Sequence, residues 1–313
     1  MKNKNIVVTG GLGFIGSHIV DELINDNQIT IIDNGSAGKL ENLSNPNHPN
    51  LNIIIEDLNE ISLYQLNTIL SNVDYVFHLA ASASVPMSVE YPIESNENNV
   101  DATVKLLTTA KDAGVSKFIF SSSSAVYGET PDMPLKESEP LKPSSPYAAS
   151  KASCELYCNS FWESYGLATV SLRYFNVFGP KQDVNSHYAA VIPNFIHSLI
   201  NGKRAIIYGD GEQSRDFVYV KDIVKANIAA AESDYYGIVN VASGEAITIN
   251  HLYEIIKDTL GSDFDPIYKE ERLGDIKHSL ANVENMQKIG FKVNPSDFRK
   301  QLEKTVKWFK NNR

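Results

Sequence analysis

The stretch Asn5-Ile6-Val7-Val8-Thr9-Gly10-Gly11-Leu12-Gly13-Phe14-Ile15-Gly16, continued by Ser17-His18-Ile19-Val20-Asp21-Glu22-Leu23-Ile24, decides the fold. Its first five residues read as a short buried strand and its last eight as an amphipathic helix, with the glycines forming the turn between them. That setting gives the glycines meaning. Gly10 permits the tight turn, Gly13 lets the backbone approach a pyrophosphate, and Gly16 lets helix and strand pack closely. The helix N-terminus then offers N–H groups and partial positive charge to phosphates. A second apolar run, Ile29-Thr30-Ile31-Ile32, ends at Asp33. An acid at this point suits a ribose diol and repels a 2′-phosphate, which predicts NAD rather than NADP.

Outward from this unit, strand-like and helical runs alternate. Asp74–His78, Lys117–Phe120 and Ala168–Arg173 read as strands; Asn98–Ala113, with a broken apolar stripe, and Tyr147–Tyr165 read as helices. Such alternation predicts an α/β fold, a doubly wound, Rossmann-like parallel sheet with helices on both faces. After Pro180 the pattern changes, and a smaller α/β lobe is expected, with a helix over Tyr188–Asn201 and a strand over Ala205–Tyr208. Phe217–Val220, the helix Asp222–Glu232 and the strand Gly237–Val241 read as a return to the first domain. The expected domains are 1–176 plus about 217–245 for the dinucleotide, and about 177–216 plus 246–313 for substrate, with the substrate in the cleft between them.

Two further pieces carry chemistry. Tyr147 and Lys151, in Pro146-Tyr147-Ala148-Ala149-Ser150-Lys151, share one face of a helix. A free phenol titrates near ~10, and moving it to ~7 takes roughly 4 kcal/mol. A neighbouring ammonium and a cationic nicotinamide together are expected to supply that. Phe120-Ser121-Ser122-Ser123-Ser124-Ala125-Val126-Tyr127-Gly128 follows an apolar strand, placing hydroxyls where an open parallel sheet binds ligands.

Composition narrows the classes. The chain has 313 residues, 42% hydrophobic and 21% charged, as an ordinary globule does. A formal net charge of −10 argues against nucleic acid as a main partner. Cys154 and Cys158, four apart in a helical pattern, read as packing residues, and the seven His are scattered without ligand spacing, so no metal is expected. No stretch is long and apolar enough to span a bilayer, and the first apolar run goes straight into the glycine turn without a signal-peptide pattern. No membrane partner is expected, and the cytoplasm is the expected location.

These pieces, in this order, resemble the extended short-chain dehydrogenase/reductase family, and within it the nucleotide-sugar 4-epimerases. Matching stretches include Asp57-Leu58, His78-Leu79-Ala80-Ala81, Asn98-Asn99-Val100, Arg173-Tyr174-Phe175-Asn176-Val177-Phe178-Gly179-Pro180, Gly209-Asp210-Gly211 with Arg215-Asp216-Phe217, and Arg272-Leu273-Gly274-Asp275. The resemblance implies tightly bound NAD, a UDP-sugar substrate, and a homodimer joined through a four-helix bundle built from Asn98–Ala113 and Tyr147–Tyr165. It assigns Ser123, Tyr147 and Lys151 to catalysis. Ser123 is chosen by counting back from Tyr127-Gly128.

The NAD shell it implies begins with Gly10, Gly13, Phe14, Ile15 and Gly16 and continues through Asp33, Asn34, Gly35, Ser36 and Gly38. Asp57, Leu58, Leu79, Ala80, Ala81, Ala83, Asn98, Tyr147, Lys151 and Tyr174 complete it, with Asn99 an equal choice to Asn98. The implied substrate shell is Ser84, Ser123, Tyr147, Asn176, Val191, Tyr208, Arg215, Arg272, Asp275 and Ser279. Arg215 and Arg272 would clamp a diphosphate.

Related 4,6-dehydratases carry Thr-Asp-Glu where this chain has Ser123-Ser124-Ala125, and related decarboxylases place Glu at the Ala125 position. The missing carboxylate points to epimerisation. Ser279 stands where glucose-only 4-epimerases carry Tyr beside the sugar C2, and a Ser leaves room for an N-acetyl group. The sequences around Ser279 and over Tyr188-Ala189-Ala190-Val191-Ile192-Pro193 also look like those of UDP-N-acetylglucosamine 4-epimerases. The expected reaction is therefore UDP-GlcNAc/UDP-GalNAc interconversion, with UDP-Glc/UDP-Gal as a weaker activity. UDP-glucose or UDP-glucuronate 4-epimerase and a non-catalytic dinucleotide sensor are the alternatives.

Overall fold

The computed structural model describes residues 1–183, 190–271 and 276–312. In chain order its strands are β1 (Asn5–Thr9), β2 (Gln28–Asp33), β3 (Leu51–Ile55), β4 (Tyr75–His78), β5 (Lys117–Ser123) and β6 (Thr169–Tyr174). They continue with β7 (Asn176–Phe178), β8 (Ile206–Tyr208), β9 (Ser214–Tyr219), β10 (Gly237–Val241), β11 (Ala246–Thr248) and β12 (Ile267–Lys269).

Seven of these form one sheet in the order β10-β6-β5-β4-β1-β2-β3, every pairing parallel. Covered on both faces, the central strands read as nearly unbroken buried runs: all six residues of β6 are inside. One face is sealed by Phe14–Leu23 and Val220–Glu232 through Ile19, Leu23, Ile223 and Ala230. The other is sealed by Leu63–Leu70, Ala102–Ala113 and Pro146–Tyr165 through Leu66, Leu106, Phe118 and Cys154. Each fully buried Leu or Phe contributes roughly 1.5–3 kcal/mol. The order reverses beside β1, so ligands are expected at the carboxyl ends of β1 and β4.

A second core gathers Phe195, Ile196, Phe217, Leu252, Ile256 and Leu302 around the antiparallel and parallel pairings of β11-β9-β7 and the pair β12-β8. Here the expectation for 217–220 is corrected. β9 does not rejoin the large sheet. It pairs with β7 and β11, because Phe217 buries against Phe178 and Phe298. The chain returns to the large sheet only through the helix Val220–Glu232 and β10. The helix expected from Tyr188 is described from Val191 to Ile200, the residues before Ala190 lying outside the described set. Among the described residues no helix is long and apolar enough to cross a membrane.

The segment expected to be a regular helix from Asn98 opens instead with a π turn, Glu97–Asp101, and becomes α-helical from Ala102. The polar run from Ser95 to Asn99 gives no apolar stripe to hold an α register. The wider turn directs Asn99 into the sheet end, and single π turns recur at functional sites for such reasons.

Candidate active site

The glycine turn fits a dinucleotide by shape. A Cβ on Gly16 would fall 2.1 Å from the carbonyl oxygen of Gly10, and one on Gly10, which has φ of 68°, would fall 2.7 Å from the backbone nitrogen of Ala80. Gly13 is the N-cap of the first helix and no side chain caps it, so its leading N–H groups point to the space above the sheet. Asp33, buried at the end of β2, accepts from the N–H of Leu12 at 3.0 Å and of Gly35 at 2.9 Å. It braces the turn it was expected to serve as a ribose acceptor. Asn34 donates to Asp57 at 2.8 Å and holds Ser36 through two contacts, while Gly38 packs on Leu12. Phe14, Ile15, Leu79, Ala80 and Ala81 are partly buried beside this cradle and Leu58 is buried under it, whereas Ala83 is exposed.

Of the two asparagines, Asn99 is the one built into the site. It is 2% exposed, accepts from Ser82 N–H at 2.7 Å and donates to Ser150 Oγ at 2.8 Å, and Ser150 donates to the carbonyl of Tyr147. Asn98 stays half exposed.

Tyr147, Lys151 and Ser123 converge. Ser145 caps the helix Pro146–Tyr165 by accepting from Ala148, and buried Ser88 accepts from the backbone N–H of Tyr147 at 3.0 Å. Ser123 Oγ accepts from Ala125 N–H at 3.2 Å, which leaves its proton free to turn toward the Tyr147 oxygen, whose pKa it lowers. Lys151 Nζ donates to the carbonyl of Ser121 at 2.8 Å, lies 4.9 Å from the Phe120 ring centroid and 6.0 Å from that of Tyr147.

Burial dominates the charge balance of the pair. Burial raises the Tyr147 phenol, with the Ser123 hydrogen bond opposing it. Burial also pushes Lys151 down to about 8, with Cys154, Cys158 and Glu155 opposing. The lysine ammonium is turned to a carbonyl, and burial is the largest influence on the phenol. Tyr174, expected beside the cofactor, has its hydroxyl held by Asn227 at 2.8 Å, and burial pushes it up to about 12. It stands opposite Ser123 in the sheet register and packs into the core.

The described substrate-side residues fall on several elements. Ser84 caps the short helix Val85–Glu90. Asn176 donates to the carbonyl of Asp216 at 3.3 Å, Val191 opens the helix Val191–Ile200, and Tyr208 lines a surface hollow with Tyr268, Lys269 and Glu270. Arg215 donates to the carbonyls of Ser214 at 2.9 Å and Lys277 at 3.2 Å, and Ser279 N–H reaches that same Ser214 carbonyl at 3.1 Å. Arg215 and Ser279 are thus neighbours. Arg272 and Asp275 lie outside the described residues.

Sequence reading missed what holds this part together. Asp216, fully buried, accepts from Ser243 and Gly244 and from Ala281 N–H, though burial pushes it up to about 6. Ala281 in turn packs with Val126, Tyr127 and Ala152. The strap 276–282 therefore runs from the small sheet to the helix Pro146–Tyr165, with Ser279 midway. The acid in Arg215-Asp216-Phe217 was the available signal.

A wholly parallel sheet, a bare glycine turn and a Ser-Tyr-Lys cluster at the strand ends describe an NAD-linked α/β enzyme of the extended short-chain dehydrogenase/reductase kind. The chain matches the NAD dependent epimerase/dehydratase family over residues 6–242 and belongs to it. A solved UDP-N-acetylglucosamine 4-epimerase from Methanobrevibacter ruminantium M1, in complex with UDP-N-acetylmuramic acid, is 64% identical, with all of both chains covered and a TM-score of 0.98. The UDP-glucose 4-epimerase of Thermotoga maritima, solved with UDP-glucose, is 38% identical over 98% of this chain and 99% of that one, with a TM-score of 0.92. The dTDP-D-glucose 4,6-dehydratase of Mus musculus is 32% identical over 99% of this chain and 89% of its own.

Proposed function

We propose that this protein interconverts C4 epimers of a UDP-hexose, UDP-GlcNAc and UDP-GalNAc foremost, with NAD as a resident cofactor. The observation that carries this reading is the convergence of Ser123, Tyr147 and Lys151 at the open sheet end, with Ala125 where elimination or decarboxylation needs an acid. Bound NAD supplies a hydride acceptor, and later donor, at the sugar C4. Tyr147 takes the proton from the 4-hydroxyl and returns it to the 4-keto sugar after the sugar has turned over. Ser123 holds the sugar O4 or the phenol oxygen. Lys151 holds the nicotinamide ribose and adds positive charge close to the phenol, and the cationic ring adds more. Gly10, Gly13, Gly16, Asp33, Asp57 and Asn99 are the proposed core of the cofactor shell. Arg215 and Arg272 bind the diphosphate, each with charge-assisted bonds of about 1.5–3 kcal/mol. NMR of the products from UDP-GlcNAc, UDP-GalNAc, UDP-Glc and UDP-Gal, each offered separately, tests this. Inversion at C4 is the expected result, and recovery of all four unchanged defeats the proposal.

The N-acetylated sugar is favoured by the buried Ser279 on the strap beside Arg215. The similar Methanobrevibacter enzyme, whose name and ligand both carry an N-acetylated UDP-sugar, supports it. Ser279→Tyr is expected to lower kcat/KM for UDP-GlcNAc by about 10- to 100-fold and to spare UDP-glucose, since the added ring overfills the C2 space. Equal losses on both sugars refute the gate.

The same proposal includes a homodimer. On the helix Pro146–Tyr165, Leu156 is 64% exposed and Tyr157 is also exposed, beside exposed Val89 and Ile93 on the helices packed against it. Leu156→Arg is expected to shift a dimer to monomer in analytical ultracentrifugation. Parent and variant sedimenting alike contradict this interface.

A further inference from the structure

Below Tyr147 and Lys151, the same helix face carries one more residue at the next turn, Glu155. It is 2% exposed and cannot reach substrate. Its partner is Arg173 of β6, 1% exposed, joined by two parallel bonds of 2.9 Å and 2.7 Å. Ser122 of β5 donates to the same carboxylate at 2.5 Å. Arg173 also stacks 4.6 Å from the centre of the Tyr127 ring, and its remaining nitrogen reaches the Glu137 carbonyl. Three successive strand residues thus face one helix: Ser121 takes Lys151, Ser122 takes Glu155, and Ser123 lies toward Tyr147.

Isolated ion pairs buried this deeply seldom add net stability, because desolvating both ions offsets their attraction. A pair retained one helical turn behind a buried lysine has a different use. We propose that Glu155 and Arg173 are a positioning pair for the reaction: they fix the Tyr147–Lys151 face to the strand end, and the carboxylate keeps Lys151 protonated from behind. The catalytic meaning of this rests on the epimerase reading.

The groups facing Lys151 make the assignment specific. On its own helix are Tyr147, Cys154, Glu155 and Cys158. From β4 comes His78, held neutral because burial pushes it down to about 3, with Lys151 adding to that effect. From β5 come only the Ser121 carbonyl and the Phe120 ring. Arg173 approaches from β6 behind Glu155. Burial raises both thiols, so Cys154 and Cys158 carry no charge at neutral pH. Glu155 is the one formal anion in this set.

The test is the Lys151 titration in the NAD-loaded protein, followed by NMR of ε-13C-labelled lysine and assigned as the resonance missing from Lys151→Met. Glu155→Gln leaves Arg173 unpaired and is expected to lower the titration by about one unit or more. Arg173→Met is expected to raise it, and the double variant to return it near the parent. The alkaline limb of kcat/KM should move with each, because an ammonium that deprotonates sooner withdraws its help at lower pH. Should Glu155→Gln fail to fold, Arg173→Met against the double variant still isolates the carboxylate, and Lys151 must titrate lower in the double. Shifts that are absent, or of one sign in both single variants, overturn the proposal and leave the pair as scaffold. A parent that fails to epimerise UDP-hexoses while these shifts appear removes the reaction but keeps the pair.

Discussion

Tyr147→Phe is expected to lose about 10²–10⁴-fold in turnover while keeping its full complement of NAD. Only one oxygen is removed. The ring keeps its packing, its backbone N–H stays on Ser88, and Lys151 stays on the Ser121 carbonyl, so the helix has no reason to move. What disappears is the acceptor for the sugar hydroxyl proton. Among the described residues no other group at this sheet end takes over at neutral pH. Burial pushes Tyr174 up, with its hydroxyl on Asn227, and His78 is sealed between Thr9 at 2.6 Å and Thr103 at 2.9 Å. Product NMR with NAD counted in the denatured supernatant reads both quantities. Near-parental turnover would remove Tyr147 from the chemistry.

The second large effect is expected at Gly16→Ala. The new methyl falls 2.1 Å from the Gly10 carbonyl oxygen and 2.9 Å from the Gly11 Cα, both backbone atoms that no rotamer change moves aside. Overpacking of this kind costs roughly 1–3 kcal/mol. It is relieved only by pushing the helix off the turn, which carries the leading N–H groups away from any diphosphate. The variant should purify with little NAD and a Tm several degrees lower. Gly13→Ala is the graded control: its methyl sits 3.2 Å from the same oxygen, and a partial loss of NAD is expected. If Gly16→Ala retains NAD at parental stoichiometry, the turn is not the phosphate site.

How far the residues announced this arrangement varies along the chain. β1, the glycine turn and the alternation up to β6 were readable because buried parallel strands are short, continuous apolar runs set off by helices. Tyr147 and Lys151 were readable because a helix turns their spacing into a shared face. Their electrostatics were not: the spacing gives proximity, but the lysine's choice of the Ser121 carbonyl is set by a strand thirty residues earlier. Asn99 was indistinguishable from Asn98 until the π turn chose between them. β9 was misplaced because its short apolar run suits either sheet, and only the contacts of Phe217 with Phe178 and Phe298 in the small core decide. Glu155 had no signal of its own, since a Glu in a helix is ordinarily solvated.

The three-residue grip at the end of β5 has a geometric consequence. Two strand residues advance about 6.6 Å, and four helical residues about 6 Å. That near-equality lets Ser123 meet Tyr147 while the Ser121 carbonyl meets Lys151 one turn on. The reactive centre therefore works as a vernier, commensurate only over this short span. Lengthening the exposed tip 129–132 leaves the two scales aligned. One residue inserted between Ser121 and Ser123 throws every mark out of phase, which confines tolerable length change in this fold to its loops.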